Sequence, residues 1–193
     1  SVFKGGMPAQ YGGRLSSVLD IRMNDGNKKE YTAEGGIGLI SSRLKLEGPI
    51  VKDKGSFMIS GRRTYADAFL AFSGDSSIKN NTLFFYDLNA KANYQIDEKN
   101  TIYLSGYFGR DELGLSETFG FGWGNTTATL RWNHLYSNRL FSNTSLIYSN
   151  YNYVIQNFLQ ENNFKVNSSI RDMNLKQDFQ LALNNSHNIR FGL

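Results

Sequence analysis

Two kinds of side chain alternate along Phe84-Phe85-Tyr86-Asp87-Leu88-Asn89-Ala90-Lys91-Ala92-Asn93-Tyr94-Gln95-Ile96. The even-numbered positions are all apolar or aromatic, and every odd-numbered position after Phe85 is charged or carries an amide. Successive side chains of a β-strand point to opposite faces of its sheet. The stretch therefore predicts a strand with one polar face and one apolar face that carries tyrosines towards its ends.

The same alternation recurs along the chain. Apolar residues hold alternate positions within Tyr31–Leu39, Leu44–Ile50, Ile102–Phe108, Ala128–Trp132 and Met173–Leu181. The positions between them include charges such as Lys45, Arg131 and Asp178. A compact core does not tolerate such charges unpaired, whereas a wide, water-filled lumen does. The pattern predicts an all-β chain that forms a transmembrane antiparallel up-and-down β-barrel, with lipid outside and water inside.

The bulk composition excludes several classes of protein. The net charge of +4 is too small and too evenly spread to indicate a nucleic-acid partner. Cysteine is absent, which excludes disulfides and thiolate metal sites. No apolar run approaches the roughly 20 residues of a membrane-spanning helix. Aromatic residues make up 14% of the chain, a high share.

The chain divides into two regions. Residues 1–27 are rich in glycine and end in the turn-like Asn24-Asp25-Gly26-Asn27. Residues 28–193 are predicted to form about nine antiparallel strands. Short polar turns are predicted near residues 52–54, 97–100, 136–139 and 184–187, and longer links at about 65–82, 112–120 and 156–163. Short turns on one side and long loops on the other are typical of periplasmic turns and extracellular loops.

The strand count and the two ends suggest a piece of a longer protein. About nine strands is an odd number, whereas bacterial barrels usually close with an even one, and an open edge in lipid is not viable. Ser1-Val2-Phe3-Lys4 does not resemble a signal peptide, and Ile189–Leu193 resembles a strand that has just begun. We therefore expect further strands outside these residues.

The longest link begins with Tyr65-Ala66-Asp67-Ala68-Phe69-Leu70-Ala71-Phe72. Two interpretations are open: two helical turns that fold over the lumen, or an extension of the strand with exposed aromatics.

The first region carries a resemblance to a known family. Val2-Phe3-Lys4-Gly5-Gly6-Met7-Pro8-Ala9-Gln10-Tyr11-Gly12-Gly13-Arg14-Leu15-Ser16-Ser17-Val18-Leu19-Asp20-Ile21 resembles the end of the plug domain of TonB-dependent outer-membrane receptors. There, a K-G-x-x-A-x-Y-G stretch and a short apolar strand lead into the barrel. Leu46–Ile50 and Ser60–Tyr65 resemble the first barrel strands of members from Bacteroidetes-like bacteria.

The resemblance implies an N-terminal plug inside a 22-stranded barrel in the bacterial outer membrane. Residues 1–27 would be the C-terminal end of the plug with its linker, and residues 28–193 the N-terminal portion of the barrel. The implied function is energy-coupled uptake of a scarce nutrient, of the siderophore, cobalamin, glycan or peptide class. The implied partners are outer-membrane lipid, the TonB-ExbB-ExbD system acting through a missing N-terminal region, and a surface lipoprotein. Ser16-Ser17-Val18 departs from the N-G-V of the starch-utilisation subfamily, which weakens the expectation of glycan import.

Two sets of site residues follow. The plug–barrel junction is assigned to Gly5, Gly6, Tyr11, Gly12, Gly13 and Arg14. Its glycines permit turns and close backbone approach, and Arg14 either pairs with Glu34 or Glu47 or is a solvated loop residue. Lipid-interface girdles are assigned to Tyr86, Tyr94, Trp132, Tyr136 and Tyr148. A carbohydrate-stacking role for some loop aromatics is the alternative.

Other chemistry has little support in the sequence. His134 is predicted on the outward set beside Trp132 and Tyr136, and His187 in a turn, and neither has a second ligand at metal-binding spacing. Gly120-Phe121-Gly122-Trp123-Gly124 lacks the following helix of a phosphate-binding loop. We expect no enzyme activity, no cofactor and no metal. The alternatives to an importer are a passive porin or structural barrel, and a soluble β-sheet adhesin or binding domain.

Overall fold

The computed structural model describes residues 2–3, 11, 18–19, 23–115, 118–158, 163–184 and 186–193. These residues form strands and two short helices. In chain order the elements are β1 (Val2–Phe3), β2 (Val18–Leu19), β3 (Thr32–Ile37), β4 (Ser41–Val51), β5 (Gly55–Thr64), α1 (Ala66–Leu70), α2 (Ser76–Lys79), β6 (Thr82–Gln95), β7 (Asn100–Leu115), β8 (Phe119–Ser137), β9 (Leu140–Asn157), β10 (Phe164–Ala182) and β11 (Asn188–Gly192).

Strands β3 to β11 form one sheet of nine strands. Each strand pairs with the next in the chain, and every pair is antiparallel. The predicted all-β, up-and-down architecture is therefore confirmed. Within the described residues β3 and β11 are the two edges of the sheet, which is open. Closure into a barrel stays a prediction, as does the plug. Among the residues that the structure describes, β1 and β2 form a separate two-stranded sheet.

The predicted short turns are present at residues 52–54, 96–99 and 138–139, and the fourth connects β10 to β11. In the first of them Asp53 has a φ of 64°, and its backbone N–H donates to Lys28 O at 3.0 Å. Aspartate is one of the few side chains that adopt this left-handed conformation readily. We call the end of the strands that carries these turns the short-turn end, and the other end of the strands the long-loop end.

One predicted long link is wrong. Residues 112–120 belong mostly to strands, because β7 continues to Leu115 and β8 begins at Phe119. Gly114 and Gly120 resemble turn signals in the sequence, but they lie directly opposite each other in the ladder. The link at residues 65–81 is long and contains α1 and α2, so residues 66–70 are helical and not a strand extension, whereas their position over a lumen stays a prediction.

The sheet has no apolar core of the usual kind. Among the described residues Met58 is the only buried hydrophobic side chain, whereas Ser56, Thr64, Asn93, Ser142 and Ser145 are buried polar ones. Asn93 Nδ2 donates to Ser56 Oγ at 2.7 Å. In a compact globular domain the buried residues are mostly apolar and the exposed ones mostly polar, whereas here polar side chains are buried and leucines are exposed.

Candidate functional site

The register of the strands separates the side chains into two faces. The leucine face carries Leu88, Leu104, Leu130, Leu146 and Leu175, and one row across eight strands of this face is wholly apolar: Ala33, Leu46, Ile59, Ala90, Gly106, Ala128, Tyr148 and Met173. The charged face carries the row Glu47, Met58, Lys91, Ser105, Thr129, Ile147 and Asn174. The predicted outward and inward sets therefore lie on opposite faces of one sheet.

The leucine face is exposed. Leu104 is 55% exposed, Met173 70% and Leu175 68%, and these side chains belong to adjacent rows. A contiguous apolar surface of this kind on a soluble protein marks an interaction or membrane site. The arrangement is suited to contact with an apolar medium along the middle of the sheet.

On β7, β8 and β10 the leucine face becomes polar towards the long-loop end, whereas on β6 it keeps Phe84 and Tyr86. On the leucine face the change occurs at Thr126, Asn150 and Arg171, and beyond them this face carries Arg110, Glu112, Gly122, Gly124, Asn152 and Ser169. The apolar band on β8 thus runs from Ala128 to Tyr136, roughly 25–30 Å along the strand at about 3.3 Å per residue. At the tilt of about 35–45° typical of transmembrane strands, this length covers about 20 Å along the membrane normal, close to the apolar band of about 25 Å of outer-membrane barrels.

Beyond the same level, aromatic side chains lie on the charged face. Phe121 and Trp123 of β8 and Tyr151 and Tyr153 of β9 form what we call the aromatic platform. The rings of Phe121 and Trp123 are 5.0 Å apart, and those of Tyr151 and Tyr153 are 6.3 Å apart. The alternation of glycine and aromatic residues at 120–124 indicates an aromatic strand start, but the pairing of this segment with Tyr151 and Tyr153 was not predicted.

The chain enters the sheet across the charged face. Lys91 Nζ lies 2.7 Å from Asp25 Oδ1 and donates to Met23 O at 2.7 Å. Gly26 is buried against β5, where a Cβ atom would lie 2.0 Å from Phe57 O. These contacts fix residues 23–26 to the side of the sheet opposite the leucine face, and they were not predicted.

Ion pairs and cation–π contacts connect strands along the charged face. Arg62 Nη2 lies 2.7 Å from Asp87 Oδ2, and its guanidinium carbon lies 5.0 Å from the centre of the Phe85 ring. The Arg131 guanidinium lies 4.6 Å from the centre of the Tyr103 ring. The charges of this face are therefore partly neutralised by one another.

The predicted plug–barrel junction lies mostly outside the described residues, because Gly5, Gly6, Gly12, Gly13 and Arg14 are not among them. Tyr11 is described, and its ring centre lies 5.8 Å from Lys176 Nζ on the charged face. Glu47, one of the two predicted partners of Arg14, accepts hydrogen bonds from Lys45 and Thr32 at 3.0 and 3.1 Å. The predicted pairing of Arg14 stays a prediction.

All five predicted girdle aromatics lie on the leucine face. Tyr86 is nearest the long-loop end and stacks on Phe84, and Tyr148 lies in the wholly apolar row. Tyr94, Trp132 and Tyr136 lie nearer the short-turn end. Their contact with lipid stays a prediction.

A hydrogen-bond network fixes the aromatic residues at the short-turn end. Asn100 Oδ1 accepts from Trp132 Nε1 at 3.0 Å and lies 2.7 Å from His134 Nδ1, so His134 carries its proton on Nδ1. The His134 ring meets Tyr136 edge-on at 4.3 Å. Asn100 Nδ2 donates to Asp97, and this bond, with the backbone N–H groups of Lys99 and Asn100, lowers the pKa of the Asp97 carboxyl.

Comparison of the sequence with protein-family models, with curated proteins and with solved structures finds no match. No helix in the described part of the chain is both long and apolar enough to cross a membrane. The described residues also contain no cluster of three or more histidine, cysteine, aspartate or glutamate side chains arranged to hold a metal ion.

Proposed function

We propose that this chain carries the plug-to-barrel junction and the first barrel strands of a TonB-dependent outer-membrane receptor, which takes part in energy-coupled uptake of a scarce nutrient. The leucine face would contact outer-membrane lipid, and the charged face would line the lumen. The observation that carries the proposal is the path of residues 23–26, which reach the sheet across its charged face and are fixed there by Lys91.

The entry path distinguishes the proposal from a passive porin. In a barrel with an empty lumen the N-terminal segment has no reason to lie on the lumenal wall. Here Asp25 and the Met23 carbonyl both bind a lysine that is only 11% exposed, and Gly26 lies against the β5 backbone. A chain that leaves a plug inside the barrel must reach the first strand by this route.

Unsatisfied polar atoms support the same orientation. Four buried side-chain atoms have no hydrogen-bond partner among the described residues: Arg131 Nε, Asn133 Oδ1 and Asn143 Oδ1 on the charged face, and Asn150 Oδ1 on the leucine face. Buried polar groups in proteins are normally hydrogen-bonded. A polar segment that packs on this part of the charged face, as a plug does, would supply the partners.

The exposed leucines argue against a soluble adhesin. A soluble protein rarely leaves an apolar band open across eight strands, because each buried methylene would stabilise it by about 0.8 kcal/mol. In lipid the same band needs no cover. TonB-ExbB-ExbD would act through the region that precedes these residues, and a surface lipoprotein would contact the long-loop end.

The proposal is tested by fractionation and transport. The full-length protein should be found in the outer-membrane fraction after a sodium carbonate wash, and cells should require it for growth on one scarce nutrient. That growth should be lost when tonB is deleted or the proton-motive force is collapsed. Growth that persists without TonB would replace the importer by a passive porin, and release into the carbonate wash would replace it by a soluble adhesin.

A further inference from the structure

The aromatic platform is created by a strict alternation on β8. Gly120, Gly122 and Gly124 take the positions of the leucine face, and Phe121 and Trp123 take those of the charged face. Trp123 lies directly opposite Tyr153 in the β8–β9 ladder. Two strands thus present four aromatic rings on one side and small or polar side chains on the other.

The platform faces away from the apolar band. It lies beyond the level at which Thr126 and Asn150 end that band, and it projects from the opposite face. Tyr151 is 38% exposed, and the other three rings are partly exposed. In the orientation of the proposed function, these rings would stand in the outer mouth of the lumen, in contact with water.

Polar side chains surround the rings in the ladder. Asp111 lies directly opposite Trp123, Asn125 lies opposite Tyr151, and Ser168 lies opposite Tyr153. The carboxylate accepts hydrogen bonds from hydroxyl groups, and the amide and hydroxyl side chains both donate to them and accept from them. Flat apolar rings with a few convergent polar groups are typical of small-molecule sites.

The charges around the platform disfavour an anionic ligand. Asp111 is the acidic neighbour of Trp123, and it lies within electrostatic reach of both Asp87 and Arg62, which form an ion pair with each other. A polyanion would be repelled by the two carboxylates. A cation would be attracted only weakly, because the guanidinium offsets one of the two carboxylates and leaves the other uncompensated.

We propose that the aromatic platform is a binding site for a neutral carbohydrate. The C–H face of a pyranose ring would lie on Trp123 and Tyr153, and its hydroxyl groups would hydrogen-bond to Asp111 and Asn125. This inference deepens the proposed function, on which it rests for the orientation of the sheet, and it assigns the imported nutrient to the glycan class. It therefore favours glycan import, although Ser16-Ser17-Val18 departs from the motif of the starch-utilisation subfamily.

The test is direct binding to the full-length protein in lauryldimethylamine oxide, a detergent without sugar groups. Maltohexaose, cellohexaose, xylohexaose, mannohexaose and laminarihexaose are titrated by calorimetry. We expect at least one of them to bind. Trp123→Ala and Tyr153→Ala should each weaken that binding roughly fivefold, because one stacked ring contributes about 1 kcal/mol. Trp123→Phe should retain most of the affinity.

The matched control is Phe84→Ala. Phe84 is an aromatic residue that also lies near the long-loop end, but it projects from the leucine face. Its variant should bind as the unaltered protein does. Heat-modifiable migration in gels shows that each variant is folded. Failure of all five hexasaccharides to bind would overturn the proposal, and so would equal affinity of folded Trp123→Ala and unaltered protein.

The outcome is separable from that of the proposed function, because binding in detergent does not need TonB. Sugar binding that depends on Trp123 in a protein released by carbonate would keep this inference and overturn the importer. If growth depends on TonB but the protein binds none of the five sugars, the importer would be kept and the carbohydrate site would be overturned.

Discussion

Trp123 and Trp132 lie on the same strand, β8, and project from opposite faces of the sheet. Trp123 belongs to the aromatic platform near the long-loop end, whereas Trp132 donates a hydrogen bond to Asn100 at the short-turn end of the leucine face. A single strand therefore presents aromatic residues to two different surroundings. The predictions below treat the two faces, the entry segment and the short-turn end separately.

The first prediction concerns the two faces. Leu130→Arg should destabilise the protein by roughly 2–4 kcal/mol in lipid, because it places a charge at the middle of the apolar band. Thr129→Arg, the adjacent residue on the charged face, should have a much smaller effect. Reversible unfolding in phospholipid vesicles measures both. Equal destabilisation by the two variants would mean that the faces are wrongly assigned.

The second prediction concerns the close packing of the entry segment. Gly26→Ala should cost about 1–3 kcal/mol, because its Cβ would meet the Phe57 carbonyl and the β5 backbone has no room to move. Gly74→Ala is the control, since a Cβ there would meet nothing within 4 Å. Its effect should stay within about 0.5 kcal/mol. The denaturant midpoints of the two variants measure these changes in stability. A Gly26→Ala variant as stable as the unaltered protein would show that Gly26 is not closely packed against β5.

The third prediction concerns the ion pair that holds the entry segment. Asp25→Asn should destabilise the contact by about 1 kcal/mol, a modest value because Asp25 is 45% exposed and screened by solvent. Trypsin should then cleave at Lys28 and Lys29 about five times faster, if cleavage follows local opening.

Asp178→Asn is the comparison for this ion pair. It removes the Lys176–Asp178 pair at 3.1 Å, in which both side chains are exposed by about a third. It should leave the cleavage rate at Lys28 and Lys29 unchanged. An Asp25→Asn variant that is cleaved no faster would show that the ion pair does not hold the segment.

The fourth prediction concerns pH at the short-turn end. The hydrogen bonds from Asn100 and Lys99 lower the pKa of Asp97 in the folded state. The unfolded chain therefore takes up this proton more readily, so the stabilisation is fully present above pH of about 4 and is lost as pH falls through the lowered pKa. Unfolding of the unaltered protein and of Asp97→Ala should differ more at pH 7 than at pH 2. The same difference at both pH values would contradict this account.

Much of the sheet was predictable because its period is two. At Leu88, Ala90 and Ala92 the alternation alone decides both the strand and the face, since a shift by one residue would move every side chain to the wrong side. The number of strands and the four short turns followed from the same pattern. His134 was likewise predicted correctly beside Trp132 and Tyr136.

The parts that sequence reasoning missed depend on long-range contacts. Gly114 and Gly120 favour a turn locally, but pairing with the neighbouring strands β6 and β9 continues the ladder past them. Asp25 resembles an ordinary turn residue until the fold brings Lys91 within 2.7 Å of it. The aromatic platform depends on the continued ladder, because Trp123 and Tyr153 lie opposite each other only where β8 and β9 extend beyond the apolar band.

In the proposed orientation, the change of polarity along β8 determines how far the strand extends beyond the membrane surface. In the proposed orientation the strand continues past Thr126 for roughly 20 Å, at about 3.3 Å per residue, before its end at Phe119. That extension is hydrogen-bonded sheet on both sides and therefore stiff. Antibodies, bacteriophages and bulky polymers at the cell surface would thus encounter a rigid rim well above the lipid headgroups, and they would need no entry into the membrane to touch it.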